Sequence, residues 1–337
     1  MTGSSEAAVP VLVLFGPTAS GKTEILRRLF VDGPAIPAEV VSADSMQVYR
    51  GMDIGTAKPD REERERLPHH LIDIRNPDEQ FNAGDFVRLA SDICLDIRRR
   101  GKLPVVSGGT GFYLKNFILG LPAAPPSDPA IRRALKGELR ERGAAALMEE
   151  LERADPVSAG RIHRNDQYRL IRALEVCRLT GRPLSSFAPP GGEEGEGPRS
   201  RFRFLLIALE RDRDDLYRRI NARCAAMFRR GLAGELRGLW EAGYGPDDPG
   251  MRAIGYREFF VEEEPGRYRL SGDIASVEAL VARNSRRYAK RQICYFAPIP
   301  GVKRVHCGPE GASGTTADPV RRIREEIELF LSIDQGR

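Results

Sequence analysis

No stretch of the chain approaches the roughly 20 consecutive apolar residues that a membrane-spanning helix needs, which excludes the helical membrane-protein classes. Met1 to Ala8 lack both the basic residues and the apolar core of an export signal, so a cytoplasmic protein is expected. Cysteine is sparse: Cys94, Cys177, Cys224, Cys294 and Cys307 stand far apart with no short paired spacing. Disulfide frameworks and zinc sites show close pairs or Cys/His clusters, so these read as reduced structural thiols. The four histidines, two of them adjacent at His69 and His70, add no ligand pattern. Internal repeats and coiled-coil heptads are missing too. Neither sign of charge dominates; the net +5 permits nucleic-acid binding without requiring it. What remains is a soluble globular composition, 41% hydrophobic and 30% charged, with 337 residues to build a sizeable core.

The first part of the chain alternates strand and helix signals. Val9 to Phe15 is an apolar run, followed by a Gly-rich turn and a helix from about Lys22 to Phe30. Glu39 to Ser42, Leu71 to Ile74 and Leu103 to Ser107 read as further strands. Between the last two, Phe86, Leu89, Ala90, Ile93 and Ile97 recur at helical spacing within Ala83 to Arg100. Such alternation predicts an α/β fold with a parallel sheet covered on both faces. Ligands of such sheets bind beyond the carboxyl ends of the strands. The proline-rich Pro122 to Pro129 then reads as a linker, and Ile131 to Phe187 as helical throughout. A second break, the Gly- and Glu-rich Pro189 to Pro198, precedes a return to strand character at Phe202 to Leu209. Mostly helix follows, with a late strand at Val302 to Val305. The expected organisation is a core interrupted by an all-helical insertion: residues 1–125, then 126–200, then the core again over 201–337.

Gly16-Pro17-Thr18-Ala19-Ser20-Gly21-Lys22-Thr23 fits the phosphate-binding pattern G-x-x-x-x-G-K-[ST], in the required setting between a strand and a helix. Glycines allow tight backbone geometry, so successive N–H groups and the helix start point at one anion. Lys22 supplies a point charge for phosphate oxygens, and the Thr23 hydroxyl can serve Mg²⁺. The core is therefore P-loop NTPase-like. Most such loops hold a nucleoside triphosphate, so an ATPase or kinase is the plain reading of this motif alone.

Asp44 lies just past the second strand, beside the phosphate loop. On position alone it could hold Mg²⁺ through water, cap the next turn, or act in catalysis. The wider segment Asp44-Ser45-Met46-Gln47-Val48-Tyr49-Arg50-Gly51-Met52-Asp53-Ile54-Gly55-Thr56-Ala57-Lys58-Pro59 closely resembles the signature of the tRNA dimethylallyltransferase (tRNA isopentenyltransferase) family. So do the phosphate loop itself, Pro68 to Asp73, Gly108-Gly109-Thr110, Asp155 to Val176, Ile254-Gly255-Tyr256-Arg257 and Ala289-Lys290-Arg291-Gln292. The matches run in order over roughly residues 9 to 300. Departures are small: Phe112-Tyr113 after Gly111, the acidic Gly-rich loop, and no C-terminal Cys/His finger, which points to the bacterial type.

The resemblance implies alkylation of an adenine exocyclic amine by dimethylallyl diphosphate, on the adenosine just 3′ of the anticodon of tRNA, with diphosphate leaving. It assigns Asp44 as general base, with Lys22, Thr23, the loop amides, Mg²⁺, Thr110 and Arg223 stabilising the diphosphate. It assigns tRNA contacts to Asp44, Ser45, Met46 and Gln47; to Arg132, Tyr168, Arg169, Leu170, Ile171 and Arg172; and to Arg252, Ala253, Ile254, Gly255, Tyr256 and Arg257. Two basic segments suit an RNA partner: Arg161 to Arg182, with six arginines against Asp166 and Glu175, and Arg283 to Arg291, with no acid. Each could instead be an ordinary solvated helix face. A monomer is sufficient, and no membrane is involved. Two other enzymes share parts of this pattern: a small-molecule kinase, which leaves the basic insertion without a role, and an adenylate isopentenyltransferase, which needs no insertion to grip tRNA.

Overall fold

β1 (Val9–Phe15) is apolar along nearly its whole length because helices cover both faces of its sheet, so alternation with polar residues has no place. The computed structural model describes residues 8–33, 36–121, 123–187, 201–308 and 318–332. Chain order continues with α1 (Lys22–Phe30), β2 (Ala38–Ser42), α2 (Arg61–Arg66), β3 (His69–His70), α3 (Ala83–Arg99), β4 (Leu103–Gly108) and α4 (Gly111–Leu119). Next come α5 (Pro129–Ala154), α6 (Pro156–Ala159), α7 (Gln167–Thr180), β5 (Phe202–Glu210), α8 (Arg213–Arg229) and α9 (Leu232–Glu241). The hairpin β6 (Phe260–Glu264) and β7 (Arg267–Leu270), α10 (Ile274–Phe296), β8 (Lys303–His306) and α11 (Pro319–Ser332) complete it.

Six strands form one sheet in the order β3-β2-β4-β1-β5-β8, and every pair in it is parallel. Leu12 sits level with Val105 on one side and Leu205 on the other. One face packs Leu12, Leu14, Val40, Val105 and Ile207 against Ile25, Leu26 and Leu29 of α1 and Ile323 and Ile327 of α11. The other face carries aromatic contacts: Phe15 on Phe296 of α10 at 4.8 Å, and Phe117 of α4 on Phe202 and Phe204 of β5 at 5.7 and 5.5 Å. Because β4 lies between β1 and β2, the loops after these three strands gather at one end of the sheet.

The chain divides into two compact units, Met1–Ile118 with Pro198–Arg337, and Leu119–Gly197. The second unit is helical, with Leu135, Leu147 and Leu151 of α5 packed on Leu170, Ile171 and Leu174 of α7. Gly143, at φ 80° and ψ 165°, breaks α5 midway. No helix among the described residues is long and apolar enough to cross a membrane. Pro122 and the loop Pro189 to Pro198 lie outside the described residues.

The expected strand Leu71 to Ile74 is displaced: pairing with Val40 and Val41 is made by His69 and His70 instead. Leu71 and Asp73 take left-handed φ values of 62° and 56°, which no strand tolerates. The short apolar run of that segment belongs to a tight strap instead. The hairpin β6–β7 was not expected; its Glu-rich exposed strands resemble a loop, although Pro265-Gly266 between them is a turn signal.

At the loop end of the sheet, β2 and β4 approach unusually closely. A Cβ on Gly108 would lie 2.2 Å from the Ala43 carbonyl oxygen and 2.4 Å from its carbon, both backbone atoms. Gly108→Ala is therefore expected to lower unfolding stability by about 1–3 kcal/mol, the usual cost of overpacking, measured by urea denaturation. An unchanged midpoint would mean the two strands part freely there.

Candidate active site

The phosphate loop turns through Ala19 at φ 62° and Gly21 at φ 104° before α1 begins. Successive residues of this kind aim backbone N–H groups at one point. Gly21 caps α1 without any side-chain bond, so the first-turn amides remain available to an anion. Two arginines hold the loop from outside: Arg211 Nε donates to the Ser20 carbonyl at 2.8 Å, and Arg219 Nε to the Ala19 carbonyl at 2.9 Å. Lys22 Nζ donates to the carbonyls of Gly16 and Pro17, both at 2.9 Å. Desolvation, reinforced by Arg223 and opposed by Asp44, lowers this ammonium to about 8. The Ser20 hydroxyl is buried without a hydrogen-bond partner among the described residues. Thr23, next along α1, is exposed.

β2 delivers Asp44 to the same end of the sheet. Its Oδ1 accepts from the Met46 and Gln47 amides at 2.9 and 3.4 Å, which fixes the carboxylate as the start of a turn. Its Oδ2 makes no hydrogen bond among the described residues. Thr110, after β4, joins this turn: its N–H donates to the Ala43 carbonyl at 3.1 Å, and its Oγ1 accepts from the Ser45 amide at 2.9 Å. Arg223 of α8 lies close enough for Asp44 to favour its charged form, against burial, which lowers its pKa. Tyr288 of α10 is pushed up to about 12 by burial and by Asp44. Gln292, one turn further, closes the arrangement. Its Oε1 accepts from the Thr18 amide at 2.9 Å, and its Nε2 donates to the Gly109 carbonyl at 2.7 Å.

The loop that continues from Asp44 is pinned by side chains. Gln47 receives the Ser42 hydroxyl at 3.0 Å and donates to the Thr56 and Ala57 carbonyls, both at 3.3 Å. Glu235 of α9 accepts the amides of Asp53, Ile54 and Gly55 at 2.8, 2.7 and 3.1 Å, and the Tyr256 hydroxyl at 2.6 Å. Burial, helped by Glu235, raises the Tyr256 pKa, so the phenol stays a donor. Tyr256 is fully buried and Ala253 nearly so; their side chains belong to the core. Arg252 and Arg257 are exposed beside them.

In the helical unit the expected residues also divide. Leu170 and Ile171 are core residues. Tyr168 is 68% exposed with the Arg132 guanidinium 4.7 Å from its ring centre, and Arg169 is exposed. Arg132 and Arg172 both approach the buried carboxylate of Glu175, at 3.5 and 3.0 Å, and Arg172 also donates to the Pro125 carbonyl at 2.5 Å. Arg178, from the same basic segment, is occupied by Glu138 and Glu150. On α10, Arg283, Arg287, Lys290 and Arg291 are exposed.

The structure thus gathers the phosphate loop, Asp44 to Gln47, Thr110 and Arg223 at one end of the sheet. It buries Ala253, Tyr256, Leu170 and Ile171. Four residues of the arrangement were not singled out from sequence: Arg211, Arg219, Glu235 and Tyr288. Gln292 figured only as the end of a matching motif. A lone Arg or Glu on an amphipathic helix gives no signal of a backbone partner elsewhere in the chain.

A sequence model of a family described as IPP transferase matches residues 47–298. The tRNA dimethylallyltransferase of Geobacter sulfurreducens is 46% identical over 305 residues, which cover 90% of this chain and 94% of that protein. That of Methylibium petroleiphilum is 43% identical over 324 residues, covering 96% and 97%. Among solved structures, the full-length tRNA isopentenylpyrophosphate transferase of Bacillus halodurans is similar with a TM-score of 0.64 and 34% identity, covering 97% of this chain and 98% of that one. A eukaryotic dimethylallyltransferase acting on tRNA is similar with a TM-score of 0.76 and 26% identity, covering 96% and 80%. A match of this extent to both sequence and fold places the chain in the IPP transferase family, that of the tRNA dimethylallyltransferases.

Proposed function

We propose that this enzyme moves a dimethylallyl group from dimethylallyl diphosphate to the exocyclic N6 amine of the adenosine 3′-adjacent to the anticodon of tRNA. The observation that carries this reading is the placement of one carboxylate, Asp44, beside a cationic phosphate loop, close enough for its charge to act on both Lys22 and Arg223. The adenine amine is a weak nucleophile, because its lone pair is delocalised into the ring. With Oδ1 committed to the turn, Oδ2 of Asp44 accepts the amine's hydrogen bond and then its proton. The new N–C bond forms as the allylic C–O bond breaks, and the electron pair leaves with diphosphate. Lys22, the loop amides, Thr110 and Arg223 stabilise the charge that builds there. Lys22 turns from the Gly16 and Pro17 carbonyls to the phosphate oxygens.

Among the described residues no three His, Cys, Asp or Glu side chains gather as a metal site. An ion held by phosphate oxygens and one hydroxyl needs no such cluster, and the exposed Thr23 hydroxyl fits that donor set for Mg²⁺. When bound, Mg²⁺ supplies further neutralisation of the leaving group. Base recognition falls to Asp44 to Gln47, since a flipped adenine is read by groups that meet its edge. Ser45 and Met46 offer more there than Gln47, whose amide is already committed. Arg132, Tyr168, Arg169 and Arg172 of the helical unit, and Arg252 and Arg257, take the tRNA by phosphate contact and stacking. Ala253, Gly255 and Tyr256 are buried and support the last two, while the half-buried Ile254 keeps its place among the tRNA contacts. The protein acts in the cytoplasm as a monomer.

With radiolabelled dimethylallyl diphosphate, Mg²⁺ and unmodified tRNA, the wild type is expected to label tRNA. Asp44→Asn is expected to lose on the order of 10²–10⁴-fold in rate, the range of a general base, with donor affinity retained. Label in free AMP or ATP would instead indicate an adenylate isopentenyltransferase, and phosphate release from ATP without label transfer a kinase.

The lowered pKa of Lys22 gives a second expectation. An anion favours the ammonium and raises its pKa, so donor binding near pH 8 takes up a proton. Above that pH the free loop loses charge and affinity falls. Calorimetry in two buffers of different ionisation enthalpy should show this uptake in the wild type and not in Lys22→Met; equal uptake in both would assign it elsewhere.

A further inference from the structure

The stretch Asp53 to Pro59 belongs to the most distinctive motif of the sequence, yet no step of the proposed reaction uses it. Its Lys58 is the most notable residue. Lysine is almost never fully buried unless paired, and the Lys58 side chain is only 3% exposed. An ammonium has three N–H donors, and three acceptors meet them: the Tyr49 carbonyl at 2.5 Å, Asp53 Oδ1 at 2.7 Å and Asp73 Oδ1 at 2.5 Å. Arg64 reaches the other oxygen of Asp73 at 3.0 Å, so two cations and two anions balance.

The backbone around this cluster is strained. Ala57, Leu71 and Asp73 are non-glycine residues with φ of 48°, 62° and 56°. Such residues persist in the left-handed region only where surrounding structure holds them. All three lie within two residues of Lys58 or of its partner Asp73. The strap they form is bonded back to the Asp44 side of the site: Asp73 N–H donates to the Gln47 carbonyl at 3.2 Å, Ile74 to Val48 at 2.8 Å, and Arg50 to Arg75 at 2.8 Å. Gln47 in turn donates its own N–H to Asp44 Oδ1. Chain segments 47–50 and 71–75 are therefore tied to the turn that orients the Asp44 carboxylate, and the Lys58 ammonium is where both are fastened.

We propose that Lys58 is a positioning residue for transfer to the acceptor: it fixes the strap and the Asp44 turn, and through them the direction in which Oδ2 faces the acceptor amine. This rests on the reading of Asp44 as the base. Arginine does not substitute, because its donors are spread over a plane while here three acceptors converge on one atom. Removing the ammonium leaves two carboxylates with Arg64 alone to balance them, and removing one of those as well restores the balance.

The test compares the full-length wild type, Asp44→Asn, Lys58→Met and the double variant Lys58→Met/Asp73→Asn. Each is assayed for transfer kinetics, pyrophosphate binding, tRNA binding and thermal midpoint. Lys58→Met is expected to lose on the order of 100-fold in kcat, as misplacement by about 1 Å can cost. Pyrophosphate affinity should stay within about 2-fold, since the phosphate loop has its own anchors. Affinity for tRNA should stay within about 3-fold, since phosphate contacts dominate it. The double variant should regain part of the lost kcat. If Lys58→Met does not fold, the double variant is judged against the wild type by the same split. The proposal falls if kcat stays within about 2-fold of wild type, or if pyrophosphate affinity declines in step with kcat, as general loosening would require. An Asp44→Asn enzyme with full activity would sink the base reading and this proposal together; an inactive one beside an active Lys58→Met would sink the Lys58 proposal alone.

Discussion

A side-chain amide has a donor end and an acceptor end, and Gln292 spends one on each of two loops. Its Oε1 takes the Thr18 amide of the phosphate loop, and its Nε2 gives to the Gly109 carbonyl after β4. A Cβ at 109 would lie 2.4 Å from that nitrogen, so only glycine admits the bridge. One turn along α10, Phe296 packs on Phe15 at the end of β1, which fixes the helix at the same place. The distance between the phosphate loop and the turn that holds Asp44 is set here. From Gly109 the chain reaches Thr110, from Thr110 Oγ1 the Ser45 amide, and so the turn that holds Asp44.

The two sides are built with opposite electrostatics. Around the phosphate loop, Lys22, Arg211, Arg219 and Arg223 stand with Asp215 and, further off, Asp44, and burial first and the charge of Arg223 next lower the Lys22 pKa. Such a site is primed for an anion, whose arrival relieves what the fold imposes. Around the loop that follows Asp44 the charges are matched instead. Asp53 and Asp73 face Lys58 and Arg64, and Glu235 is saturated by four donors. Matched charges and saturated acceptors fix geometry without drawing in ions. In the proposed reaction that suits the side of the site that receives the neutral adenine.

How much of this could be read in the sequence depends on the range of the interaction involved. β1 and α1 were legible with their boundaries, because an apolar run, a Gly-rich turn and a lysine are contiguous signals. The phosphate loop and Asp44 were legible for the same reason. The Leu71 to Ile74 segment was misread because Leu71, Ile72 and Ile74 make a short apolar run, while Leu71 and Asp73 take left-handed φ values and Asp73 is bonded to Lys58, outside that run. Tyr256 was expected to meet RNA, yet its ring fills the space beneath Gly55, and its hydroxyl answers Glu235 from twenty-one positions earlier. Nothing at 235 marks it as a partner for backbone amides at 53 to 55. Gln292 likewise shows its role only once α10 is laid against the sheet. Local chemistry was written in short motifs; the parts that hold it rigid were scattered.

Glu235 carries a consequence for how this chain can change over time. Its carboxylate only accepts, and its neighbours only donate: three backbone amides, which no mutation short of proline removes, and one phenol. An amide at 235 would turn a donor toward donors, so even the isosteric glutamine is a poor neighbour there. Gly55 is constrained in the same stroke, since a Cβ would fall 2.5 Å from the Tyr256 ring. A change at 55, 235 or 256 therefore disturbs the other two. A lineage that enlarged residue 55 would have to shrink the ring at 256 and then find a new donor for the carboxylate.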